Sequence, residues 1–483
     1  MITMEDNEIE RIIKSIRDLM RKDKGMNTDA QRLPQMLWML FLKCFDDYEK
    51  GKEILGNYEP IIEPPYRWRD WSDDEKGPRG EMLIDFVENK LFKYLSNLHG
   101  DDSADQRDVI GDIFSEQKNF MTDGYSVKEV ISQINKLDFT TLEHFHLIGT
   151  AYERLLSSMK DNSPGTFGEF YTPRPLIKFI VKMINPSLKN RETILDPAAG
   201  SCGFLIESFT HMEDQVTNTK ENEFLQKHAL SGIEARPDPY LFGIMNMMLH
   251  GVLEPNLVRA NTLETPLRDI NEKLRVNVIM TNPPFGGEEL PSIRRKFPAG
   301  FQTQDTTLGF MLHCMGRLKD GGRCAIIVND NFLSAGQMES KVKEKLLKEF
   351  NLHTIVRLPR SVFAPYTPIA TNILFFEKNG MTKDVWYYNV PKREGYKSFN
   401  KTNPIKFENL EPVLKWAENK KNDSKSWKKN IEEIKKSNYN LDVKHPDADK
   451  MEEMPSPDKL IDDLIKQQKQ ISDLLKIVKE KMT

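Results

Sequence analysis

A run of mostly β-branched residues that stops at two consecutive prolines is the feature that most constrains the fold of this chain. Residues 276–280 read VNVIM, and after one threonine come Asn282, Pro283, Pro284 and Phe285. Proline cannot donate to a sheet ladder and keeps the preceding residue out of the helical conformation, so the run predicts a buried strand that ends in a rigid loop. In open parallel sheets, ligands bind at the edge formed by such strand ends.

The polar and aromatic groups of this loop suit a planar amine. The side-chain oxygen of Asn282 and the carbonyl of Pro283 can accept two hydrogen bonds from one amino group, and the ring of Phe285 can stack on the base that carries it. The same residues also suit an ordinary turn in which Phe285 only covers the core. The loop alone leaves both interpretations open, and a cofactor site in the same sheet would favour the first.

A second strand with a polar tip lies upstream, at residues 193–204. This stretch reads TILDPAAGSCGF, which predicts a strand, Asp196 at its tip, a turn of small residues and the start of a helix. Small residues let the backbone approach a ligand closely, and a carboxylate at a strand tip can bind an ammonium group. The lysine and hydroxyl residue of a nucleoside-triphosphate loop are absent, which disfavours that class of site. Gly200 and Gly203 match a dinucleotide fingerprint weakly, so that fold stays open.

Further strand candidates end in polar residues in the same way. One ends in Glu234, at the position where such folds bind a ribose diol, and Asn261 follows a third apolar run. Each residue alone is equally typical of a protein surface. Strands and helices alternate between about residues 176 and 390, which predicts an α/β fold with a doubly wound, mostly parallel sheet. Asp196, Glu234, Asn261 and Asn282 would then share one edge of that sheet.

A proline-rich stretch ahead of this region predicts the start of a helix. Thr172 is placed as the N-cap and Pro173 in the first turn of a helix through residues 176–184. The free backbone N–H groups at such an end suit an anionic group, although these residues by themselves favour a capped helix with no further role. The sequence DNSPG at residues 161–165 marks a domain boundary just before it.

The first 160 residues predict a helical domain without chemistry of its own. Apolar residues recur at helical spacing over residues 9–20 and 37–45. Residues 59–80 contain prolines, tryptophans and acidic residues without periodicity, which predicts an irregular surface loop.

The region after residue 400 has two features. Lysines alternate with Trp416 and Trp427, a pattern that suits either contact with DNA phosphates or a solvated face. Apolar residues at heptad spacing over residues 456–482 predict a terminal amphipathic helix. A lone amphipathic helix needs a partner surface, on its own domain or on another subunit.

Composition narrows the class of protein. The chain is 39% hydrophobic and 29% charged, and neither a membrane-spanning run nor a signal segment is apparent, so we expect a cytoplasmic location. Its four cysteines have neither paired nor metal-ligand spacing, and we expect them reduced and no metal bound. The net charge of −4 gives no overall attraction to nucleic acid, so DNA binding would need local basic patches or a partner.

Two motifs carry a resemblance to a known family. Residues 196–204 and the Asn282-Pro283-Pro284-Phe285 loop resemble the S-adenosylmethionine loop and the catalytic loop of N6-adenine DNA methyltransferases. Their order, with residues 170–174 (FYTPR) ahead of both, resembles the modification subunit of type I restriction-modification systems. Residues 33–45 and 439–442 extend the resemblance over nearly the whole chain. Cys202 departs from the pattern, because many relatives have a small residue there, often glycine.

The resemblance implies a fold and a set of site residues. The implied fold is a Rossmann-like class I methyltransferase sheet over residues 161–400, with an all-α domain over 1–160 and a helical tail over 401–483. Asn282, Pro283, Pro284 and Phe285 would form the catalytic loop. S-adenosyl-L-methionine would be surrounded by Glu169, Phe170, Tyr171, Thr172, Pro173, Arg174, Asp196, Ala198, Gly200, Ser201, Cys202, Gly203, Glu234 and Asn261.

The implied activity is site-specific N6-methylation of an adenine flipped out of double-stranded DNA. The implied partners are a specificity subunit, with two copies of this chain for each, and in some assemblies a restriction subunit with nuclease and translocase activity; no membrane is involved. Three alternatives stay open: a self-sufficient adenine methyltransferase, a methyltransferase for a protein glutamine side chain, and an inactive scaffold. Residues 286–304 are long and without pattern, so we expect them to be disordered until DNA binds.

Overall fold

The computed structural model describes residues 4–56, 58–73, 75–100, 105–139, 172–334, 336–364, 367, 369–392, 399–400, 403–447, 465 and 468. The strands are β1 (Ile194–Asp196), β2 (Leu230–Glu234), β3 (Leu257–Arg259), β4 (Val276–Thr281), β5 (Leu318–Asn329), β6 (Asn351–Arg357), β7 (Thr371–Glu377), β8 (Asp384–Asn389) and β9 (Ser426–Asn430). The helices are α1 (Met4–Met20), α2 (Asp29–Leu55), α3 (Trp68–Trp71), α4 (Glu81–Phe86), α5 (Phe92–Leu95), α6 (Gln106–Ser115), α7 (Gly124–Ile134), α8 (Arg174–Ile184), α9 (Gly203–Glu213), α10 (Thr219–Lys227), α11 (Pro237–Leu249), α12 (Pro291–Arg294), α13 (Thr306–Arg317), α14 (Asp330–Leu333), α15 (Gln337–Glu349), α16 (Glu411–Glu418) and α17 (Ile431–Lys436).

The strands form one sheet in the order β3-β2-β1-β4-β5-β7-β6-β8-β9. Strands β3, β2, β1, β4 and β5 are parallel, and β7 is antiparallel to both β5 and β6. The predicted doubly wound, mostly parallel sheet is therefore confirmed. Because β1, β2, β3 and β4 are parallel and neighbouring, their carboxyl ends lie along one edge, where the polar tip residues come together.

Helices cover both faces of the sheet, which explains why the central strands are apolar at almost every position. In β4, the alternate side chains Val278 and Met280 join one hydrophobic cluster, while Ile279 joins the cluster on the opposite face. Side chains of neighbouring residues point to opposite faces of a strand, so a strand buried on both faces needs an unbroken apolar run. This requirement accounts for the consecutive apolar residues 278–280.

The N-terminal helices form the predicted all-α module, and their core is aromatic. Trp38 and Phe41 on α2 are buried, as are Trp68 and Trp71 on α3, whose rings meet edge to face with centroids 4.9 Å apart. The prediction of a surface loop over residues 59–80 was wrong at these two tryptophans. Besides each other, they contact Phe86 on α4 and Asn135 just after α7, so the local sequence carries no periodicity that would indicate their burial.

This helical module is attached to the β3 edge of the sheet. The guanidinium of Arg259, the last residue of β3, donates to the carbonyl of Asp112 at 3.0 Å and to Ser115 Oγ at 2.8 Å, and it pairs with the carboxylate of Glu116. Lys52 on α2 also forms an ion pair with Glu254, at 2.9 Å. The module therefore contacts the strand that leads into the predicted cofactor-site residue Asn261.

The region after residue 400 continues the sheet. Trp427 lies in β9, is buried and stacks on Tyr387 with ring centroids 5.1 Å apart, while Trp416 on α16 packs edge to face on Trp386. Neither tryptophan faces DNA or solvent, so neither of the two readings of this aromatic pattern applies to them. Most of the predicted helix over residues 456–482 lies outside the described residues; Ile465 and Gln468 within it are helical and exposed.

Gly321 and Gly322 lie inside β5, where they form a bulge between the pairs Val276↔Leu318 and Val278↔Arg323. The segment 286–304 contains helix α12 and is held by buried side chains, contacts that argue against the expected disorder. No helix among the described residues is long and apolar enough to cross a bilayer.

Candidate cofactor and amine-binding site

A cavity of about 200 Å³ lies at the carboxyl ends of β1, β2, β3 and β4. Ten residues predicted from the sequence line it: Thr172, Asp196, Ala198, Gly200, Ser201, Gly203, Glu234, Asn261, Asn282 and Pro284. The remaining walls are Ile177, Pro197, Ala199, Phe204, Ile233, Ala235, Arg236, Ala260, Thr262 and Phe310. Tertiary packing brings in the walls from α8 and α13, which no local motif indicates, whereas Phe204 on α9 belongs to the motif of residues 193–204.

Eight predicted residues do not line this cavity or cannot be placed. Glu169, Phe170 and Tyr171 lie outside the described residues. Pro173, Arg174, Cys202, Pro283 and Phe285 are described but are absent from the cavity wall. The thiol of Cys202 is fully buried and points towards α11, where a Cβ placed on Gly243 would lie 2.6 Å from its Sγ.

The loop after β1 is held in shape by hydrogen bonds to the neighbouring strand. The carboxylate of Glu234, at the end of β2, accepts hydrogen bonds from the backbone N–H groups of Gly200 and Arg236, each at 2.9 Å. The N–H of Ala199 donates to the carbonyl of Ile233 at 3.0 Å. One carboxylate therefore links two walls of the cavity, and we expect its loss to change the shape of both.

Left-handed backbone and close helix contact explain the small residues of this loop. Gly200 has φ +50°, a conformation that costs glycine little. Cys202 has φ +60°, which is strained for a residue with a side chain. A Cβ on Gly203, the first residue of α9, would lie 2.5 Å from Cδ1 of Ile177, so this glycine lets α9 approach α8.

Burial controls the charge of the cavity. Desolvation raises the pKa of Asp196 from 3.8 to about 7, and the nearby carboxylate of Glu234 adds to the effect. Burial likewise raises the pKa of Glu234. Two carboxylates repel phosphate groups and attract cations. These two carboxylates therefore fit a nucleoside that carries positive charge and no phosphate, and they do not fit a nucleoside triphosphate.

Asn261 has a structural role in addition to lining the cavity. Its Oδ1 accepts a hydrogen bond from the N–H of Leu263 at 2.9 Å and caps the turn after β3, while its Nδ2 lies 3.4 Å from Glu289 Oε2. The expected recognition of an adenine edge by this amide stays a prediction.

Asn282 is oriented by a residue far away in the sequence. Its Nδ2 donates to Thr172 Oγ1 at 3.0 Å across a separation of 110 residues. Thr172 was predicted to cap α8, and this was wrong: Pro173 occupies the cap position, α8 begins at Arg174, and the Thr172 hydroxyl binds Asn282 instead. Because Thr172 Oγ1 accepts from Nδ2, the amide is held in one orientation and Oδ1 lies on the side away from Thr172.

The oxygen of the same amide is left without a partner. Asn282 Oδ1 is buried and accepts no hydrogen bond from any described residue. The carbonyl of Pro283 likewise accepts none among the described residues. Buried acceptors are nearly always paired in folded proteins, so an unpaired one at a cavity is a candidate for binding a ligand donor. The arrangement fits an amino group with two N–H bonds.

Phe285 lies beside this pair of acceptors and is half-buried. Its ring meets Phe363 edge to face, with centroids 5.9 Å apart and an interplanar angle of 84°. This contact fixes the plane of the Phe285 ring from one side. Its predicted stacking on a base stays a prediction.

The fold and the site together define a class of protein. Strand order β3-β2-β1-β4-β5-β7-β6 with antiparallel β7, acidic residues at the ends of β1 and β2, and Asn-Pro-Pro-Phe after β4 are the features of a class I methyltransferase. The N-6 DNA Methylase family matches residues 143–454, and the HsdM N-terminal domain matches residues 9–134. The chain belongs to the modification subunits of type I restriction-modification systems, which are S-adenosylmethionine-dependent N6-adenine DNA methyltransferases.

Individual relatives support this assignment. The chain is 41% identical to the EcoEI methylase subunit of Escherichia coli, over 91% of this chain and 90% of the relative. A modification subunit assigned to a type I restriction enzyme of Vibrio vulnificus YJ016 has a TM-score of 0.83 at 41% identity, over 94% of this chain and 99% of that one. A chain from a study of complex assembly in a type I R-M system has a TM-score of 0.82 at 36% identity, over 98% and 97% of the two chains.

Proposed function

We propose that the cavity binds S-adenosylmethionine and that Asn282 and Pro283 hold the amino group of a flipped adenine beside it. The observation that carries the proposal is the buried, unpaired Asn282 Oδ1 at the edge of a cavity lined by two carboxylates. A cation-binding cavity fits the cofactor, and an unpaired acceptor fits the substrate amine. When bound, the cofactor supplies an electrophilic methyl group.

Each wall residue has a chemical role in this proposal. The carboxylate of Asp196 pairs with the ammonium group of the cofactor, and Glu234 accepts from the ribose hydroxyls with the lone pairs left by its two backbone partners. Thr172 holds the Asn282 amide in its acceptor orientation. Phe310 and Ile177 supply apolar walls.

Asn282 activates the amine by orientation. The lone pair of adenine N6 is delocalised into the ring, so the nitrogen is a poor nucleophile. When Asn282 Oδ1 and the Pro283 carbonyl accept both N–H bonds, they favour a pyramidal nitrogen whose lone pair points away from the ring. An amide is not a base near neutral pH, so the proton leaves after transfer rather than before it. The adenine reaches these groups only outside the duplex, where the ring of Phe285 can stack on it.

The proposal also covers domains and partners. We divide the chain into a helical domain (1–160), a methyltransferase domain (161–400) and a C-terminal region (401–483) that includes β9 and ends in a docking helix at about 456–482. That helix would bind a specificity subunit, with two copies of this chain for each, and a restriction subunit would complete the assembly. The formal charge of −4 supports dependence on a partner for DNA binding.

The test is transfer of labelled methyl from S-adenosylmethionine to DNA by the purified chain, alone and with the product of an adjacent specificity-like reading frame. We expect label on adenine N6 only when both subunits are present. Label with the chain alone would establish a self-sufficient enzyme. Label on a glutamine-containing protein, or cofactor binding without transfer to any DNA, would overturn the substrate, and failure to bind the cofactor would point to a scaffold.

Cofactor affinity should depend on pH through Asp196. Its raised pKa of about 7 means that the free site holds a neutral carboxyl below pH 7, whereas ammonium binding needs the carboxylate. We expect affinity to fall about tenfold for each pH unit from 7 to 5.5, where an α-ammonium stays protonated. The sign is opposite for the free protein: its buried acid binds a proton that the unfolded chain lacks, so its free energy of unfolding falls as pH rises from about 4 to 7.

Calorimetric titration of the cofactor across this pH range checks the prediction. Asp196→Asn should bind more weakly at pH 7 and show a shallower profile, because its amide does not titrate and only the Glu234 carboxyl remains to respond to pH. A wild-type profile that is flat between pH 7 and 5.5 would contradict the assigned role of Asp196.

Thr172→Val should lower kcat about tenfold and leave cofactor affinity within about threefold. Valine keeps the volume of threonine but cannot accept from Asn282 Nδ2, so the amide loses the bond that fixes its orientation. A tenfold change corresponds to the loss of one ordinary hydrogen bond. Thr172→Ser keeps the hydroxyl and should restore most of the rate; equal rates for the valine and serine variants would count against this positioning role.

A further inference from the structure

The segment that follows the catalytic loop has one buried and one charged face. We name residues 290–297, which include helix α12, the basic turn. Ile293 and Phe297 are 3% and 4% exposed and pack into the core, where the Phe297 ring meets His313 on α13 edge to face at 5.9 Å. Arg294, Arg295 and Lys296 occupy the intervening positions and are exposed.

The three cations of the basic turn are free to bind an external anion. Their backbones take part in the hydrogen bonds of the turn, but none of the three side chains forms an ion pair or hydrogen bond with any residue in the part of the chain that the structure describes. The buried anchors on either side hold their backbone in place, so three positive charges are presented from a folded platform. The net charge of the chain is −4, so the chain as a whole does not attract a polyanion, and any attraction must come from a local cluster of cations such as this one.

An exposed leucine stands at the end of the basic turn nearest the cavity. Leu290 is 69% exposed, although its neighbour Glu289 is firmly bound. The N–H of Glu289 donates to the Gln304 carbonyl at 2.7 Å, and its carboxylate lies 3.4 Å from the amide of the cavity residue Asn261. Glu289 is therefore fixed against the cavity residue Asn261, and the next residue, Leu290, projects into solvent from this fixed position.

We propose that the basic turn binds the DNA backbone next to the target base and that Leu290 enters the space that the flipped adenine leaves. Arg294, Arg295 and Lys296 would bind phosphates, which supply most of the affinity of proteins for DNA. Extrusion of a base leaves a gap in the stack, and apolar side chains inserted at base steps keep such a distortion open. This inference rests on the proposed function, because it needs an adenine that leaves the duplex at Asn282.

DNA is the occupant favoured by the position of the turn. An acidic protein surface would satisfy the three cations, but it would give the exposed Leu290 beside the cavity no gap to fill. A DNA duplex satisfies both features at once. Its phosphates line the edges of a groove whose floor is formed by the stacked bases, so cations and an apolar side chain of one segment can reach both. In this arrangement the specificity subunit recognises the DNA sequence, and the basic turn binds backbone phosphates, which are the same in every sequence.

The test uses the complex of this chain with its specificity subunit and two duplexes that contain its recognition site. One has 2-aminopurine in place of the target adenine and reports base flipping by fluorescence, and the other keeps the adenine and is used for DNA affinity and methyl transfer. R294Q/R295Q/K296Q should weaken DNA binding at least tenfold and lower the slope of log affinity against log salt by about 2 to 3, as expected for two or three lost phosphate contacts. The control K189Q/K220Q/K341Q removes the same charge from exposed lysines elsewhere and should leave the slope unchanged.

Leu290→Ala tests the second part. We expect DNA affinity within about threefold of the wild type, but a loss of most of the 2-aminopurine fluorescence increase and about a tenfold lower kcat. Leu274→Ala, at another exposed leucine, is the matched control and should behave as the wild type. Cofactor affinity and the melting temperature of all variants report on folding.

The outcomes separate this inference from the proposed function. A wild-type complex that methylates adenine, combined with an unchanged salt slope in R294Q/R295Q/K296Q or unchanged fluorescence in Leu290→Ala, overturns the inference alone. Loss of binding to the specificity subunit in R294Q/R295Q/K296Q would make the turn a protein interface and also overturn it. A wild-type complex without methyl transfer to adenine overturns the function on which the inference rests.

Discussion

Asn282→Ala should lower the rate of methyl transfer by about 10² to 10³-fold, the range seen when one preorganised hydrogen-bonding group is removed from an active site. The variant loses the Oδ1 acceptor that would draw the N6 lone pair out of conjugation, while the cavity walls at Asp196 and Glu234 remain. Cofactor affinity should therefore stay within about threefold. Single-turnover rates with labelled cofactor and calorimetric titration measure the two quantities separately.

Two further variants sharpen this experiment. Asn282→Asp keeps an acceptor at the same place and should retain more activity than the alanine variant. Asn379→Ala is the control. It removes an exposed asparagine amide that lies just after β7, at the edge of the sheet opposite to the cavity, and should leave the rate unchanged. If Asn282→Ala instead weakens the cofactor and leaves kcat intact, Asn282 belongs to the cofactor site and the assigned amine site is wrong.

Glu234→Ala should weaken cofactor binding about 100-fold. The carboxylate accepts from Gly200 and Arg236, so its removal leaves two backbone N–H groups unpaired in a buried region and frees the loop after β1. Each unsatisfied buried donor costs about 1 to 3 kcal/mol, and 1.4 kcal/mol is a factor of ten in affinity. Cofactor titration at constant pH gives the change directly.

The control for Glu234→Ala is a carboxylate with a similar structural role outside the cavity. Glu192 is buried, accepts from the N–H of Ser187 at 2.7 Å and pairs with Arg323 at 2.6 Å. Glu192→Ala should lower the melting temperature of the protein, as Glu234→Ala does, but leave cofactor affinity near that of the wild type. Equal losses of affinity in both variants would mean that Glu234 acts only through the stability of the fold.

The contact between the helical module and β3 places the N-terminal region close to this chemistry. Arg259 is bound by the carboxyl end of α6, and the next residue, Ala260, lines the cavity. The N-terminal helices therefore help to position one wall of the site, although their own sequence carries no catalytic motif.

The strand-end motifs were predictable because they are local. Asp196 and Glu234 end apolar runs, Asn282 follows one after a single threonine, and neighbouring parallel strands bring their carboxyl ends to one edge. The carboxylate of Asp305 caps α13 in the same local way, by accepting from the N–H of Leu308 at 2.9 Å. Such bonds join residues a few positions apart, so the local sequence indicates them wherever no distant partner competes, as one does at Thr172.

Tertiary structure decided the contacts that join distant segments. The Thr172 hydroxyl binds Asn282 instead of capping its own helix, and Trp427 packs on Tyr387 instead of facing a ligand. In each case the local residues are compatible with more than one partner, and the packing of other elements selects one of them. The sequence by itself therefore determined the class of fold and the polar tips of its strands, whereas the orientation of the Asn282 amide and the walls of the cavity depend on contacts across the whole domain, which no local pattern encodes.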